Sequence, residues 1–132
     1  MSLAAIRQAL ETAIDNALSI DLAFENVPYT PVPGTPYGVV YLLAAEPDNP
    51  EIGGLTTDQG FMQVTLCYPL GEGPAAAMTA AETIRTAFPR GASFTASGVT
   101  TTITKTPEIG PATTEADCYS VPVRVRFFSH HP

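Results

Sequence analysis

The chain has 132 residues, 45% apolar and 14% charged, enough to bury a core in one domain and too apolar for a disordered segment. Its 13 acidic and 6 basic residues leave a net charge of −7, which excludes a basic stripe for gripping phosphates and argues against nucleic-acid binding by charge neutralisation. No apolar run approaches the roughly 18 residues of a membrane span, and the N-terminus lacks the basic flank and apolar core of a signal peptide. A soluble, cytoplasmic protein is expected.

Ser2 is a plausible helix cap, and Leu3, Ile6, Leu10, Ile14 and Leu18 follow at spacings of three and four. Arg7 and Glu11 fall four apart on the outer surface of that helix. Residues 21–25 read as a short strand. Pro28, Pro31, Pro33 and Pro36 then interrupt any ladder, so 26–36 is expected to be an extended loop.

Tyr37 to Ala45 is apolar on both alternating faces, the pattern of a strand inside a sheet rather than at its edge. Residues 46–60 follow with Glu46, Asp48, Glu51 and Asp58, two prolines and three glycines, and no apolar period. A long acidic loop, mobile in the free protein, is the expectation there.

Met62, Val64, Leu66 and Tyr68 alternate with Phe61, Gln63, Thr65 and Cys67 as a half-buried strand requires. After a Gly-Pro turn, Ala77, Ala81, Ile84 and Phe88 form one helical stripe that stops at Pro89. Residues 94–96 and 99–104 read as strands joined by a Ser97-Gly98 turn, with Val99, Thr101 and Ile103 on one face and threonines on the other. Residues 107–117 read as loop. The last strand alternates Tyr119, Val121, Val123, Val125 and Phe127 against polar partners, with Pro122 arguing for an edge or a bulge. Residues 129–132 are expected to form a flexible tail. The order α-β-β-β-α-β-β-β predicts an α+β fold over 1–132: one mostly antiparallel β-sheet with two helices packed on one face.

Sites of chemistry are hard to find. The Leu70–Pro74 loop before the second helix lacks both glycine-rich phosphate signatures, and Glu72 would repel an anion. His130 and His131 sit beside the terminal proline, where nothing can orient them as catalytic or metal-binding groups. No serine has a nucleophile-elbow frame, and the carboxylates show no sign of the burial that separates catalytic acids. Neither an enzyme activity nor a cofactor or metal is expected. Cys67 and Cys118 have no metal-binding spacing and read as buried free thiols, ahead of a disulfide or metal pair. Arg124 and Arg126 share one strand face. They are either exposed surface arginines or an interface for the acids of a neighbouring copy, Glu46, Asp48, Glu51 and Asp58 being the candidates.

Together, FENVPYTP (24–31), AEPDNP (45–50), the Gly53-Gly54 pair, YPLGEG (68–73), FPRG (88–91), GVTTTI (98–103) and YSVPVRV (119–125) resemble, in that order, the tail terminator or tail completion proteins of long-tailed bacteriophages and prophages. The resemblance runs from the first helix to Phe128. It implies a structural virion protein that forms a ring, a hexamer in this family, on the head-proximal end of the tail tube. Such a ring stops tube polymerisation and offers a surface to head-completion proteins, while DNA passes through its lumen without specific binding. Assembly in the bacterial cytoplasm and residence in the virion tail follow from the same resemblance. The alternatives are a head–tail connector and, in a different class, a small-molecule-binding or hydrolytic domain built around Tyr68 and the Gly71–Gly73 loop.

Overall fold

A computed structural model describes residues 2–25, 29–30, 34–44, 56–71, 73–114 and 118–131. Its elements in chain order are α1 (Ser2–Ala17), β1 (Asp21–Phe24), β2 (Tyr37–Ala44), β3 (Thr56–Tyr68), α2 (Ala75–Ala87), β4 (Ser93–Ala96), β5 (Val99–Ile103), β6 (Glu108–Ile109), β7 (Thr113–Thr114) and β8 (Tyr119–His131). All strands join one sheet in the order β1-β2-β3-β8-β5-β4, with β6 and β7 also paired to β8. Every pairing is antiparallel except β1 with β2. The expected α+β architecture is the observed one.

The sheet is built around β3 and β8, which pair in register along their full length from Thr56↔His131 to Tyr68↔Tyr119. Because side chains alternate, Met62, Val64 and Leu66 of β3 and Val121, Val123, Val125 and Phe127 of β8 all reach one face, where they are buried. Both helices cover that face. Ile6, Leu10 and Ile14 of α1, and Ala77, Ala81 and Ile84 of α2 with Phe88 just beyond it, close the core at 0% exposure. Leu3, placed at the head of the α1 stripe by its spacing, instead stands 46% exposed.

Two strands run further than the sequence suggests. β3 begins at Thr56, so Asp58 lies in the ladder opposite Ser129 and is buried, not part of an acidic loop reaching Gly60. β8 continues through Ser129, His130 and His131, each paired to β3, where a tail was expected. Polar composition hides both extensions, since a strand supplied with a pairing partner does not need apolar side chains at its ends. Residues 45–55, including Glu46, Asp48 and Glu51, lie outside the described residues, and so does the expected mobility of that loop.

The segment 107–114 is not all loop: β6 and β7 form short ladders with β8. They also explain Pro122, which sits inside the sheet rather than at an edge. Its carbonyl accepts the Gly110 amide at 2.8 Å, and on an antiparallel strand a residue's N and O point to the same side. The donor that proline lacks therefore falls between β6 and β7, and the β3 ladder loses nothing. Gly110 permits the approach, since a Cβ there would stand 2.9 Å from the Pro122 ring. The β4–β5 hairpin turns on Ser97 (φ 51°) and Gly98 (φ 78°), the double positive φ of a tight type I′ turn.

One core position is imperfect. Thr101 is fully buried on β5, and its Oγ1 has no hydrogen-bond partner among the described residues. Thr101→Val keeps the shape and removes the unsatisfied hydroxyl, so it is expected to raise stability by about 1 kcal/mol. Urea denaturation checks this, and a lower midpoint would mean that the hydroxyl has a partner.

Candidate functional site

Helices occupy one side of the sheet and leave the other bare of any described helix. On that bare face, cross-strand register sets Tyr41 of β2, Gln63 of β3, Arg124 of β8 and Glu108 of β6 in one row. The next row holds Leu43, Phe61 and Arg126. The side chains interlock. Gln63 Nε2 donates to the Tyr41 hydroxyl at 2.7 Å and to Thr65 Oγ1 at 3.1 Å, while Arg124 Nε donates to Gln63 Oε1 at 3.0 Å. The Arg124 guanidinium also lies 4.9 Å from the Phe61 ring centroid, and that of Arg126 lies 5.9 Å from it. A hollow of ≈ 350 Å³ opens beside Arg124, lined by Gln63, Ile109, Gly110, Pro122 and Glu108 among others.

Arg124 and Arg126 are thus brought together on an open surface, as their alternation predicts, and among the described residues neither has a carboxylate in ion-pair range. Of the four acids expected to partner them across copies, Asp58 is buried on the helix-covered face of the sheet. Glu46, Asp48 and Glu51 are outside the described residues. The sequence reading missed Tyr41, Gln63 and Phe61 as neighbours of the arginines, because only the registry of β2, β3 and β8 makes them adjacent.

A second polar cluster ties helix to sheet. Arg7 of α1 meets Glu11 at 3.1 Å, the pair expected from their spacing, and also Glu25 at 3.2 Å. Glu25 follows β1 and accepts the Leu42 amide at 2.6 Å, so it takes over where the parallel β1–β2 ladder ends. The Leu42 amide holds the Glu25 carboxyl below the usual carboxylate range. Burial opposes this, and the Arg7 guanidinium adds to it. Burial pulls the Arg7 guanidinium down, but the Glu25 and Glu11 carboxylates outweigh it and raise it. A carboxylate with a depressed folded pKa stabilises fully above its unfolded value, about 4.3, and less as pH falls through the folded value. Glu25→Gln is therefore expected to lower the melting temperature at pH 7 and to leave little difference near pH 2. Both side chains are over a third exposed, so the loss should stay within about 1 kcal/mol. Equal losses at both pH values would contradict the assignment.

The two cysteines correct an expectation. Cys67 and Cys118 are not free thiols; they form a disulfide, with Cα atoms 5.5 Å apart and both residues nearly buried. β8 starts beside the end of β3, and Cys67↔Ser120 registry brings Cys118, two residues earlier, to the same face.

The loop before α2 behaves as a turn. Gly71 and Gly73 take positive φ, Pro74 caps the helix through its backbone, and Glu72 lies outside the described residues. A hollow of ≈ 250 Å³ there is lined by Pro69, Leu70, Thr114 and Tyr119 besides the turn itself, and among the described residues no carboxylate, histidine, lysine or arginine lines it. Burial raises the half-buried Tyr68 hydroxyl's pKa, with no base facing it among the described groups. Among the described residues no cluster of three His, Cys, Asp or Glu could hold a metal. No described helix is long and apolar enough to cross a membrane.

What the geometry offers is an exposed surface of arginine and aromatic side chains on the sheet. The family of phage tail terminator proteins matches residues 4–127, and the chain belongs to that family. It is accordingly a structural component of a phage tail. No curated protein matches the chain. One solved structure of 24% identity shares the fold, with a TM-score of 0.82 over 98% of this chain and 96% of its own.

Proposed function

We propose that the chain caps the head-proximal end of a phage tail tube as a ring of identical copies, stops tube polymerisation, and presents the surface to which the head-completion protein joins. Family membership over residues 4–127 is the observation that carries this reading. The bare face bearing Arg124 and Arg126 supports it, because an arginine surface with aromatic and aliphatic neighbours suits protein contact better than solvent. The net charge of −7 suits a lumen through which DNA passes, since carboxylates repel phosphates and keep passage non-adhesive. Glu46, Asp48 and Glu51 contribute to that acidity by sequence. In this role the protein works by geometry and does no chemistry, and it is assembled in the host cytoplasm into the virion tail.

The test is direct. Purified protein added to polymerising tail tube subunits should arrest growth and appear by electron microscopy as an annulus at one tube end. Tubes that lengthen unchanged with bare ends would overturn the reading.

A further inference from the structure

The disulfide sits apart from the core. Cys67 belongs to the alternate set of β3 with Phe61, Gln63 and Thr65, on the side without described helices, and Cys118 shares that side with Ser120 and Arg124. The buried cluster beneath the helices includes neither cysteine. In the sheet, Cys67 stands between Tyr37 of β2 and Ser120 of β8, one residue before β3 ends at Tyr68. Both cysteines are nearly closed off, at 6% and 8% exposure.

The fold does not wait for this bond. β3 and β8 pair along their full length, and Met62, Val64, Leu66, Val121 and Val123 are buried under the helices without help from the sulfurs. A disulfide acts mainly by restricting the unfolded chain, so the dithiol form folds to the same sheet with less stability. Inside a bacterial cytoplasm, glutathione and thioredoxin keep such thiols reduced, and outside the cell that restraint is gone. A chain assembled inside and carried outside crosses from one redox regime to the other. It does so with its two cysteines already side by side, their Cα atoms 5.5 Å apart.

We propose that Cys67 and Cys118 form a clamp that is set after release: a dithiol while the chain folds and joins the tail, and a disulfide once the particle is in oxidising medium. The oxidant is a small-molecule disulfide of the glutathione class. One protein thiolate attacks a sulfur of that disulfide, forming a mixed disulfide and expelling one small thiolate. The second protein thiolate then displaces the other, so the protein pair loses two protons and two electrons and two small thiols are formed. The near burial of both residues favours a small reagent over an enzyme and shields the finished bond from later exchange. What the clamp secures is the start of β8 against the end of β3, so that the free particle resists opening there. This inference rests on the proposed assembly in the host cytoplasm and residence in the virion, and adds to that reading how the finished tail is hardened.

Phage-producing cells are quenched in trichloroacetic acid before lysis, and released particles are quenched in the same way. Both samples are denatured and treated with a polyethylene-glycol maleimide, which retards the chain on a gel once for each free thiol. The intracellular chain is expected to carry a label on each of its two cysteines, and the chain in particles none unless it is first reduced. Phage carrying Cys67→Ala/Cys118→Ala should assemble tails of wild-type length at wild-type titre, and then lose titre on warm storage at least about tenfold faster. An unlabelled chain inside the cell, free thiols in the particle, or equal decay of variant and wild type would each overturn the proposal. Tube arrest is measured separately on the purified chain, reduced and oxidised. Arrest by the oxidised form alone would also overturn the clamp, whereas arrest by neither form would remove the capping role and leave the clamp to be judged on the labelling.

Discussion

Removing the Cys67–Cys118 disulfide is expected to cost this domain about 4 kcal/mol. The bond closes a loop between residues 51 apart, and the chain-entropy cost of leaving such a loop open in the unfolded state has that size. Native domains of this class are stable by roughly 5–15 kcal/mol, so the loss is a large fraction of the total. The bond also fixes where β8 begins relative to the end of β3, the pair on which the rest of the sheet is hung. Urea unfolding of the oxidised protein, the reduced protein and Cys67→Ala/Cys118→Ala measures it. The latter two should coincide with each other and unfold at much lower urea. Coincidence of all three, or reactive thiols in the oxidised protein after unfolding, would remove the disulfide from the description.

Phe88→Ala is the second large effect, at about 3–5 kcal/mol for deleting a fully buried ring. Phe88 ends α2 with its amide on the Ile84 carbonyl at 3.0 Å, and its ring centroid lies 5.2 Å from that of Phe94 on β4. The lost volume therefore falls between the end of α2 and the β4–β5 hairpin, far along the sheet from β2. Hydrogen exchange should show β4 and β5 losing protection first while the β3–β8 ladder keeps its own. A uniform loss across the sheet would mean that the hairpin is not a separable unit.

Where burial follows a simple period, the sequence was readable. The α2 stripe of Ala77, Ala81, Ile84 and Phe88 is the buried stripe, and the β3 and β8 alternations give the core face from Met62 to Leu66 and from Val121 to Phe127, with Tyr68 and Tyr119 only partly buried at its end. Elsewhere the information is non-local. Cys67 and Cys118 look unrelated until the β3–β8 register sets them side by side. Asp58 and the histidines look like loop and tail because their polarity masks the backbone pairing that holds them, and the two-residue strands β6 and β7 are too short to show any period. β2, apolar on both faces, does run between two strands, but the helices cover only one of those faces. Leu43 and Val39 stay outside, so what reads as core in a one-dimensional pattern is a surface in the fold. The arginines were legible as a pair; their bracing by Gln63 and Phe61 was not, since those contacts span strands far apart in sequence.

The tail length of particles assembled without this protein tests the capping role most directly. Electron microscopy of a lysate from a phage carrying a deletion of its gene should show tube structures of broad, excessive length with no heads attached. Supplying the wild-type chain should restore one uniform length. Headless tails of normal, uniform length in the deletion would contradict a terminator and place the protein instead at the joint between finished tail and head.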